Sequence, residues 1–333
     1  MLYHVRDLVL QMTSAKASIH APEQREAAAA STRDYMFLLK LTSVTIVATL
    51  GLIALGGAVR ATGSGLACPD WPLCDGQALP LAERGTTIEF AHRMTATAVG
   101  SLALGIALYS TRVRRESPGI FYVAVLAGVL VVLQILLGAA VVFAKLPAEL
   151  VTAHLGLATA FAAALAVIAS QAFISTQIGA SSDISSKTLA ATLLACVLTY
   201  GMLLLGAYVG SSGSSLACAS WPLCNDTLIP SGDWRPWIGF AHRLLAIAMT
   251  ASVAWAAWTA FAGNTPRLVR NLLFGAFALT VVEIFVGALN PILRVPAAVA
   301  VTHLTVATII WLLLSGAATI CLSTQRREIP AQA

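Results

Sequence analysis

The sequence predicts an all-α integral membrane protein with eight transmembrane helices in two tandem four-helix bundles. Three observations predict this fold class: 58% of the 333 residues are hydrophobic, only 11% are charged, and the second half of the chain repeats motifs of the first. A soluble domain carries about 25% charged residues, so the composition excludes soluble enzymes, fibres and disordered chains. The net charge of +5 does not indicate a nucleic acid partner, because no dense basic run with interleaved aromatics occurs.

Eight apolar stretches are long enough to cross a hydrocarbon core of about 30 Å, which takes about 20 helical residues. Residues 1–35 contain acidic as well as basic groups and no apolar run before a cleavage site, which predicts a cytoplasmic tail. Residues 323–333 are predicted to form a second cytoplasmic tail. The predicted spans are residues 36–58, 88–110, 119–143, 149–174, 188–210, 236–261, 268–291 and 297–321.

The distribution of Lys and Arg predicts the orientation of these spans. The two tails, the loops after spans two, four and six and the span ends on that side contain 13 of these residues, and the opposite side contains seven. The positive-inside bias places both termini in the cytoplasm and segments 59–88 and 210–236 outside, with the inverted topology as the alternative. A short tail without an obvious presequence favours the plasma membrane of a bacterium over the mitochondrial inner membrane.

An internal repeat relates the two halves at an offset of about 150 residues. Four helices per half is an even number, so both halves enter the membrane in the same sense, as a parallel repeat. The predicted domains are a first bundle, residues 36–180, and a second bundle, residues 181–322. The repeated motifs are Leu-Ala-Cys at 66–68 and 216–218, Trp-Pro-Leu-Cys at 71–74 and 221–224, and Phe-Ala-His-Arg at 90–93 and 240–243.

Four of the six histidines lie a few residues inside the outer ends of spans two, four, six and eight: His92, His154, His242 and His303. Each bundle therefore presents two imidazoles to a flat ligand, which is the arrangement that a six-coordinate haem needs. Zinc would need two further ligands in each bundle, and the histidine helices carry no HExxH motif. A packing role would explain a single histidine in a membrane helix better than it explains four. A proton relay would not require the histidines to be paired at equal depth.

Basic residues lie near the depth of the histidines. Haem propionates are anionic, and arginine binds carboxylates through a fork of hydrogen bonds. The alternative is that these side chains extend from helix ends into the membrane interface. The candidate propionate-binding residues are Arg60, Arg93, Lys145, Arg243 and Arg294.

Two cysteine pairs, Cys68 with Cys74 and Cys218 with Cys224, lie in the predicted outer loops. An oxidising compartment makes a local disulfide plausible for each pair. Zinc fingers use tighter spacing, and a zinc site would also take a histidine away from the haem. A redox-active role in thiol–disulfide exchange stays open.

The halves differ most clearly at Glu89, which stands three residues before His92 and has Gly239 as its counterpart. A carboxylate beside only one haem is expected if that site does proton chemistry, whereas the alternative is favourable placement of an acid at a helix N-terminus. Arg60 and Asp70 also lack charged counterparts. At an offset of 149 the repeat pairs Gln134 with Glu283, and both are predicted to face bundle interiors as hydrogen-bond partners or a proton path.

The segment 57–74, Gly-Ala-Val-Arg-Ala-Thr-Gly-Ser-Gly-Leu-Ala-Cys-Pro-Asp-Trp-Pro-Leu-Cys, and the segment 89–93, Glu-Phe-Ala-His-Arg, resemble those of the haem A synthase family. The resemblance covers residues 36–321. It implies that the first bundle holds the substrate haem O between His92 and His154. It further implies that His242 and His303 ligate a haem B cofactor, that Glu89 is important for catalysis and that Cys68 and Cys74 form a disulfide.

In this family the C8 methyl of haem O is oxidised twice, through a hydroxymethyl haem, to the formyl of haem A for terminal oxidases. The expected partners are haem O, a haem O synthase (a farnesyltransferase), terminal oxidase assembly factors, an unidentified electron donor, the lipid bilayer and a second copy of the chain. The main alternative is a bis-histidine two-haem cytochrome that carries electrons from quinone, which leaves Glu89 unexplained. A transporter would be expected to have broken helices at mid-membrane.

Overall fold

The computed structural model describes the backbone of residues 2–68, 70–74, 76–77, 83–177 and 184–328, and within these ranges the side chains of residues 29–325. The described residues form helices joined by short connections, apart from two longer loops after the first and fifth helices. We call these the outer loops after their predicted side of the membrane. The helices are α1 (Leu2–Ala61), α2 (Arg84–Ser110), α3 (Pro118–Phe143), α4 (Ala148–Thr176), α5 (Ser186–Ser211), α6 (Trp234–Ala262), α7 (Arg267–Ile292) and α8 (Ala297–Glu328).

The helix bounds agree with the predicted spans to within a few residues, except at the two ends of the chain. Helix α1 begins at Leu2, so the predicted tail 1–35 is not separate from the first span. Residues 24–30 read Gln-Arg-Glu-Ala-Ala-Ala-Ala, all strong helix formers, which explains why the helix extends beyond the apolar stretch. Helix α8 likewise continues to Glu328, and residues 329–333 of the predicted C-terminal tail lie outside the described residues.

Seven of the described helices are long and apolar enough to cross a membrane, which makes the chain an integral, multi-pass helical membrane protein. The remaining helix, α2, is less apolar because its outer half contains Glu89, His92 and Arg93. It nevertheless packs between α1 and α3. Neighbouring helices can supply partners for polar groups that lipid cannot satisfy, so this packing is compatible with an eighth span.

The helices pack as two rings of four. Helix α1 contacts α2 and α4, and α3 also contacts both, which closes the first ring, while the same pattern joins α5, α6, α7 and α8. Each ring has its own buried cluster, made from residues 35–172 in the first ring and residues 184–321 in the second. We refer to these rings as the first and second bundles.

The bundles contact each other through α1 and α4 on one side and α5 and α8 on the other. Trp311 donates from Nε1 to the Thr159 carbonyl at 2.8 Å, and the Tyr200 hydroxyl donates to the Gly156 carbonyl at 3.2 Å. The two aromatic rings also contact each other, with centroids 5.4 Å apart. A Cβ at Gly156 would lie 2.6 Å from Cδ2 of Leu204, so glycine permits this close approach of α4 and α5.

Replacing Trp311 with Phe is expected to weaken the contact between the bundles, because it removes the buried N–H donor and part of a side chain that is only 9% exposed. The expected cost is about 1–3 kcal/mol of stability. A thiol-reactive dye that reports exposure of Cys321 on heating would show a lower unfolding temperature. The control is Trp255→Phe, at a position that is 45% exposed, and an equal effect of both substitutions would contradict the role of Trp311.

Candidate functional site

Each of the four predicted ligand histidines packs its ring against a glycine of the preceding helix. Carbon atoms in favourable contact are about 3.5–4.0 Å apart, so any side chain at these glycines would have to displace the imidazole. The glycines therefore seat the rings, and sequence reasoning missed this role although the residues recur in the repeat. A Cβ would lie 3.0 Å from Cε1 of His92 at Gly56, 3.1 Å from that of His154 at Gly138, 3.2 Å from that of His242 at Gly206 and 3.0 Å from that of His303 at Gly287.

The second bundle brings His242 and His303 together, with ring centroids 6.4 Å apart and ring planes at 67°. A metal–imidazole bond is about 2 Å long, and the ring centre lies about 1 Å beyond the nitrogen, so one metal ion between two rings needs centroids about 6 Å apart. The observed separation fits a single iron between the two imidazoles. In the first bundle, His92 and His154 lie on the corresponding helices α2 and α4, each against its glycine.

The histidines also have buried ring nitrogens without aligned hydrogen-bond partners, and a bound group would account for them. Among the described residues, Nδ1 of all four histidines has this character. A buried polar atom left unpaired costs about 1–3 kcal/mol, so its repeated occurrence requires a reason. No three His, Cys, Asp or Glu side chains converge on one point in the described part of the chain. A metal bound there would thus depend on two imidazoles, with its other ligands supplied by a macrocycle such as haem.

Gln134 and Glu283, which the repeat pairs, both contact the second histidine of their bundle. Nε2 of Gln134 lies 3.2 Å from Nε2 of His154. Oε1 of Glu283 lies 2.8 Å from Nδ1 of His303. This contact does not have the geometry of a hydrogen bond, because the oxygen is not aligned with an N–H bond at that nitrogen. The prediction that both side chains face the bundle interiors as polar partners is therefore consistent with these contacts, which also identify the histidine that each one meets.

Arg93 holds the outer loop of the first bundle against α2. Its guanidinium donates to the carbonyl oxygens of Cys68 at 2.8 Å, Asp70 at 2.7 Å and Leu73 at 2.5 Å. Backbone carbonyls of an irregular loop need donors, and the five N–H groups of one guanidinium can serve several of them.

Arg243 repeats this arrangement in the second bundle. It donates to the carbonyl oxygens of Cys218, Ser220, Pro222 and Leu223. Both arginines therefore have a structural role in their loops that the sequence did not reveal. Propionate binding by Arg93 and Arg243 stays a prediction.

The other three candidate propionate ligands have different surroundings. Arg60 donates from Nη1 to the carbonyl of Gly210 at 2.7 Å, across the boundary between the bundles. Gly210 is the repeat counterpart of Arg60, and a Cβ there would lie 2.7 Å from the same nitrogen, so the two residues are complementary. Lys145 and Arg294 are exposed in the turns after α3 and α7, each with φ of +61°. Arg60 is also exposed, so what sets Lys145 and Arg294 apart is their position in the turns directly before the histidine helices α4 and α8.

Glu89 is 3% exposed and bound on both of its oxygens. Oε2 accepts from the backbone N–H of Cys68 at 2.8 Å, and Oε1 forms an ion pair with Arg93 at 2.6 Å. In the second bundle a Cβ at Gly239 would lie 3.4 Å from Sγ of Cys218, so the disulfide packs close to the helix there. The difference between Glu89 and Gly239 thus changes how each loop is attached to its histidine helix.

Asp70, another charged difference between the halves, takes part in a turn that both halves form. Its Oδ2 accepts from the N–H of Gly76 at 2.9 Å, and Oγ of Ser220 accepts from the N–H of Asp226 at the same distance. The charged carboxylate of Asp70 and the neutral hydroxyl of Ser220 therefore accept the hydrogen bonds that close equivalent turns. This contact is one reason why a neutral counterpart is tolerated in the second half.

Both predicted disulfides are present in the structure, Cys68 with Cys74 and Cys218 with Cys224. All four cysteines are buried beneath the outer loops. In the first bundle the disulfide packs against Phe90, two residues before His92 on α2. The disulfides therefore help to position the loops over the outer ends of the histidine helices.

Comparison with known proteins gives one family and a consistent set of relatives. The COX15-CtaA model, described as cytochrome oxidase assembly protein, matches residues 40–315. The heme A synthase of Symbiobacterium thermophilum is 31% identical over 306 residues, which cover 90% of this chain and 100% of that protein. The heme A synthase of Geobacillus kaustophilus is 28% identical over 295 residues, or 87% of this chain and 93% of that protein.

Replacing Gly287 with Ala is expected to displace the His303 imidazole by a few tenths of an ångström and to lower the haem content of the second bundle. The measurement is haem bound per purified chain, from the absorbance of its pyridine complex. Gly275→Ala on the same helix is the control, because its Cβ would lie 3.6 Å from Cδ1 of Leu313, an ordinary contact. Equal haem contents in the two variants would contradict the proposed seating of the ring.

Proposed function

This chain belongs to the COX15-CtaA family of cytochrome oxidase assembly proteins, and we propose on that premise that it is a haem A synthase whose first bundle holds the reacting haem. It is an oxidoreductase that acts on a methyl group of haem O. The chain matches relatives of that function over most of its length and most of theirs. In the proposed reaction the methyl is hydroxylated to a hydroxymethyl haem, and a second hydroxylation gives a gem-diol that loses water to form the formyl. Each hydroxylation removes two electrons from the carbon, and an oxidant from outside the chain takes them up.

The observation that carries this proposal is the pairing of half-buried imidazoles at a separation suited to one iron. His242 and His303 provide this pair in the second bundle, and glycine-seated His92 and His154 occupy the equivalent positions in the first. One bundle is required for the substrate haem, and the other can hold a resident haem. A protein that modifies one haem with the help of another needs both sites.

We assign haem O to the bundle of residues 36–180 and haem B to the bundle of residues 181–322. Glu89 supports this assignment because it places a buried carboxyl three residues from His92, whereas the second bundle has Gly239 at that position. General acid–base catalysis by a positioned side chain contributes about 10²–10⁴-fold to a rate. The bundle that contains Glu89 is therefore the better candidate for a reaction that removes protons.

The residues of this chain have separate tasks in the proposed reaction. His92 and His154 bind the substrate at its iron and orient its macrocycle within the first bundle. Glu89, held by Arg93 and the N–H of Cys68, keeps a proton acceptor beside α2 while the loop above excludes water. Haem B, bound by His242 and His303, would supply electron transfer.

Lys145 and Arg294 are the proposed propionate-binding residues with exposed side chains in the turns before the histidine helices, one in each bundle. Both lie in turns on the side of the outer loops. Their charges would neutralise carboxylates at the watery edge of each bundle. Arg60, Arg93 and Arg243 would bind propionates only by sharing or exchanging the carbonyl contacts described above.

The proposed location is the bacterial plasma membrane, with both termini in the cytoplasm and the disulfide loops outside. The proposed partners are the haem O synthase that supplies the substrate, assembly factors of terminal oxidases, an electron donor and a second copy of the chain. The near-equivalence of the two histidine pairs favours one rival, a two-haem cytochrome that transfers electrons without altering either porphyrin.

The decisive experiment is expression of the chain in a host that makes haem O but no haem A, followed by chromatography of extracted haems. Haem A or its hydroxymethyl precursor is the expected product. If the amount of haem B rises with the amount of protein while haem O stays unmodified, the proposal is overturned and the cytochrome is favoured.

Replacing Glu89 with Gln is expected to reduce product formation about 100-fold or more if the carboxylate accepts a proton. The haem of the second bundle should keep its absorption spectrum, because Glu89 lies in the other bundle. The measurement is haem A formed per purified chain, with Glu149→Gln, at an exposed acid in the first turn of α4, as the matched control. Normal turnover in the Glu89 variant would end its proposed role.

A further inference from the structure

We propose that the connection between α2 and α3 binds the phosphate of an anionic phospholipid. The site consists of the guanidinium groups of Arg112, Arg114 and Arg115, next to an exposed apolar surface of the two helices. It lies at the end of α2 opposite His92 and is separate from both histidine pairs. The inference therefore does not depend on the proposed enzymatic function.

The three arginines and Thr111 line an open cavity of about 610 Å³. Small-molecule sites typically have volumes of about 300–1,000 Å³, so a phospholipid headgroup fits this space. Val113, in the middle of the connection, is only 2% exposed. Its N–H donates to the Ser110 carbonyl at 3.1 Å, and its carbonyl accepts from the N–H of Ser117 at 2.8 Å. The buried valine and these turns fix the backbone from which the arginines extend.

The positive charge of the cavity has no counter-ion in the part of the chain whose side chains are described. The salt bridges found there do not include any of the three arginines. Glu116, the acid within the connection, accepts instead from two hydroxyls of α1, those of Ser31 at 2.5 Å and Tyr35 at 3.4 Å. Guanidinium groups bind phosphate through paired hydrogen bonds, so phosphate is the anion that this cavity suits.

Arg112 is held in place by Tyr109. Its Cζ lies 4.4 Å from the centroid of the Tyr109 ring, and the Tyr109 hydroxyl donates to Oδ1 of Asp34 at 2.8 Å. A guanidinium that stacks on an aromatic ring keeps the N–H groups at its edge available for an anion. Binding of an anion therefore costs less side-chain entropy at Arg112 than at an unrestrained arginine.

The apolar surface beside the arginines favours a phospholipid over a water-soluble anion or an acidic protein segment. On α2, Leu104 and Leu108 precede Arg112 by eight and four residues and are 59% and 64% exposed, and on the neighbouring α3 Leu126 is 51% exposed. The 27 residues of α2 span about 40 Å, more than a hydrocarbon core of about 30 Å, so its end reaches the headgroup layer. Acyl chains can lie on these leucines while the phosphate contacts the arginines.

The second bundle supplies a natural comparison. Residues 263–266, its equivalent connection, read Gly-Asn-Thr-Pro and contain no basic side chain, while Arg267 and Arg270 begin α7. A general excess of positive charge at this end of the molecule would involve both groups of arginines alike. A site built by the α2–α3 connection involves only the first group.

The test measures binding of phosphatidylglycerol to the purified full chain in neutral detergent by native mass spectrometry, with zwitterionic phosphatidylcholine as the comparison lipid. Saturable binding of phosphatidylglycerol and weaker binding of phosphatidylcholine are expected. The double variant Arg114→Gln with Arg115→Gln should weaken phosphatidylglycerol binding about 10-fold or more, because each basic residue near an anionic lipid contributes to affinity. The matched control, Arg267→Gln with Arg270→Gln, removes the same charge and should leave this binding unchanged.

Equal losses in the two double variants, or equal binding of the two lipids, would overturn the inference. Displacement of the lipid by an equal concentration of inorganic phosphate would also overturn it, because the cavity would then bind the free anion. Absence of saturable phosphatidylglycerol binding would overturn it in favour of an acidic protein segment.

A second variant decides the question if the glutamine double variant does not accumulate as folded protein. Arg114→Lys with Arg115→Lys keeps both charges but lacks the planar fork of the guanidinium. Weaker binding of phosphatidylglycerol by this variant is the expected result. Unchanged binding would contradict recognition of the phosphate by the arginines.

Discussion

The close approach of neighbouring helices at four glycines is the constraint on which the rest of the site depends. Each histidine ring lies against the backbone of the preceding helix, and a single added carbon would meet it. Glycine inside a helix destabilises it by roughly 0.5–1 kcal/mol relative to alanine, so four glycines at equivalent positions need a packing reason. Because backbone moves less readily than side chains, this contact fixes the imidazoles more firmly than side-chain packing would, as a metal site requires.

The outer loops are attached to helices that carry the candidate ligand histidines. Arg93 and Arg243 each directly follow a histidine, and each binds several loop carbonyls. The repeated His-Arg pair therefore places a loop anchor directly after a candidate ligand, and a shift of the helix would also shift the loop. Glu89 adds a carboxyl to this anchor in the first bundle only. A catalytic group in that position would be held rigidly by the contacts that attach the loop.

The halves have diverged where they touch each other and where they touch the histidines, while the glycine seats have stayed the same. At the ends of α1 and α5, the guanidinium of Arg60 fills the space that Gly210 leaves in the other bundle. Only one of these two equivalent positions can carry the large side chain. Trp311 and Tyr200 similarly reach α4 from the second bundle. Duplication thus supplied two like sites, and local substitutions in a shared frame made them unlike.

The amino-acid sequence by itself determined the membrane class, the positions of the helices and the repeated motifs that single out four histidines. Long apolar runs and repeated motifs are local features, so they can be read without coordinates. The sequence also indicated both disulfides, because the paired cysteines are close along the chain. It did not reveal the loop contacts of Arg93, the complementarity of Arg60 and Gly210, or which ring nitrogen Gln134 and Glu283 would meet. Those depend on side-chain direction and on distances between different helices, and only tertiary packing decides them.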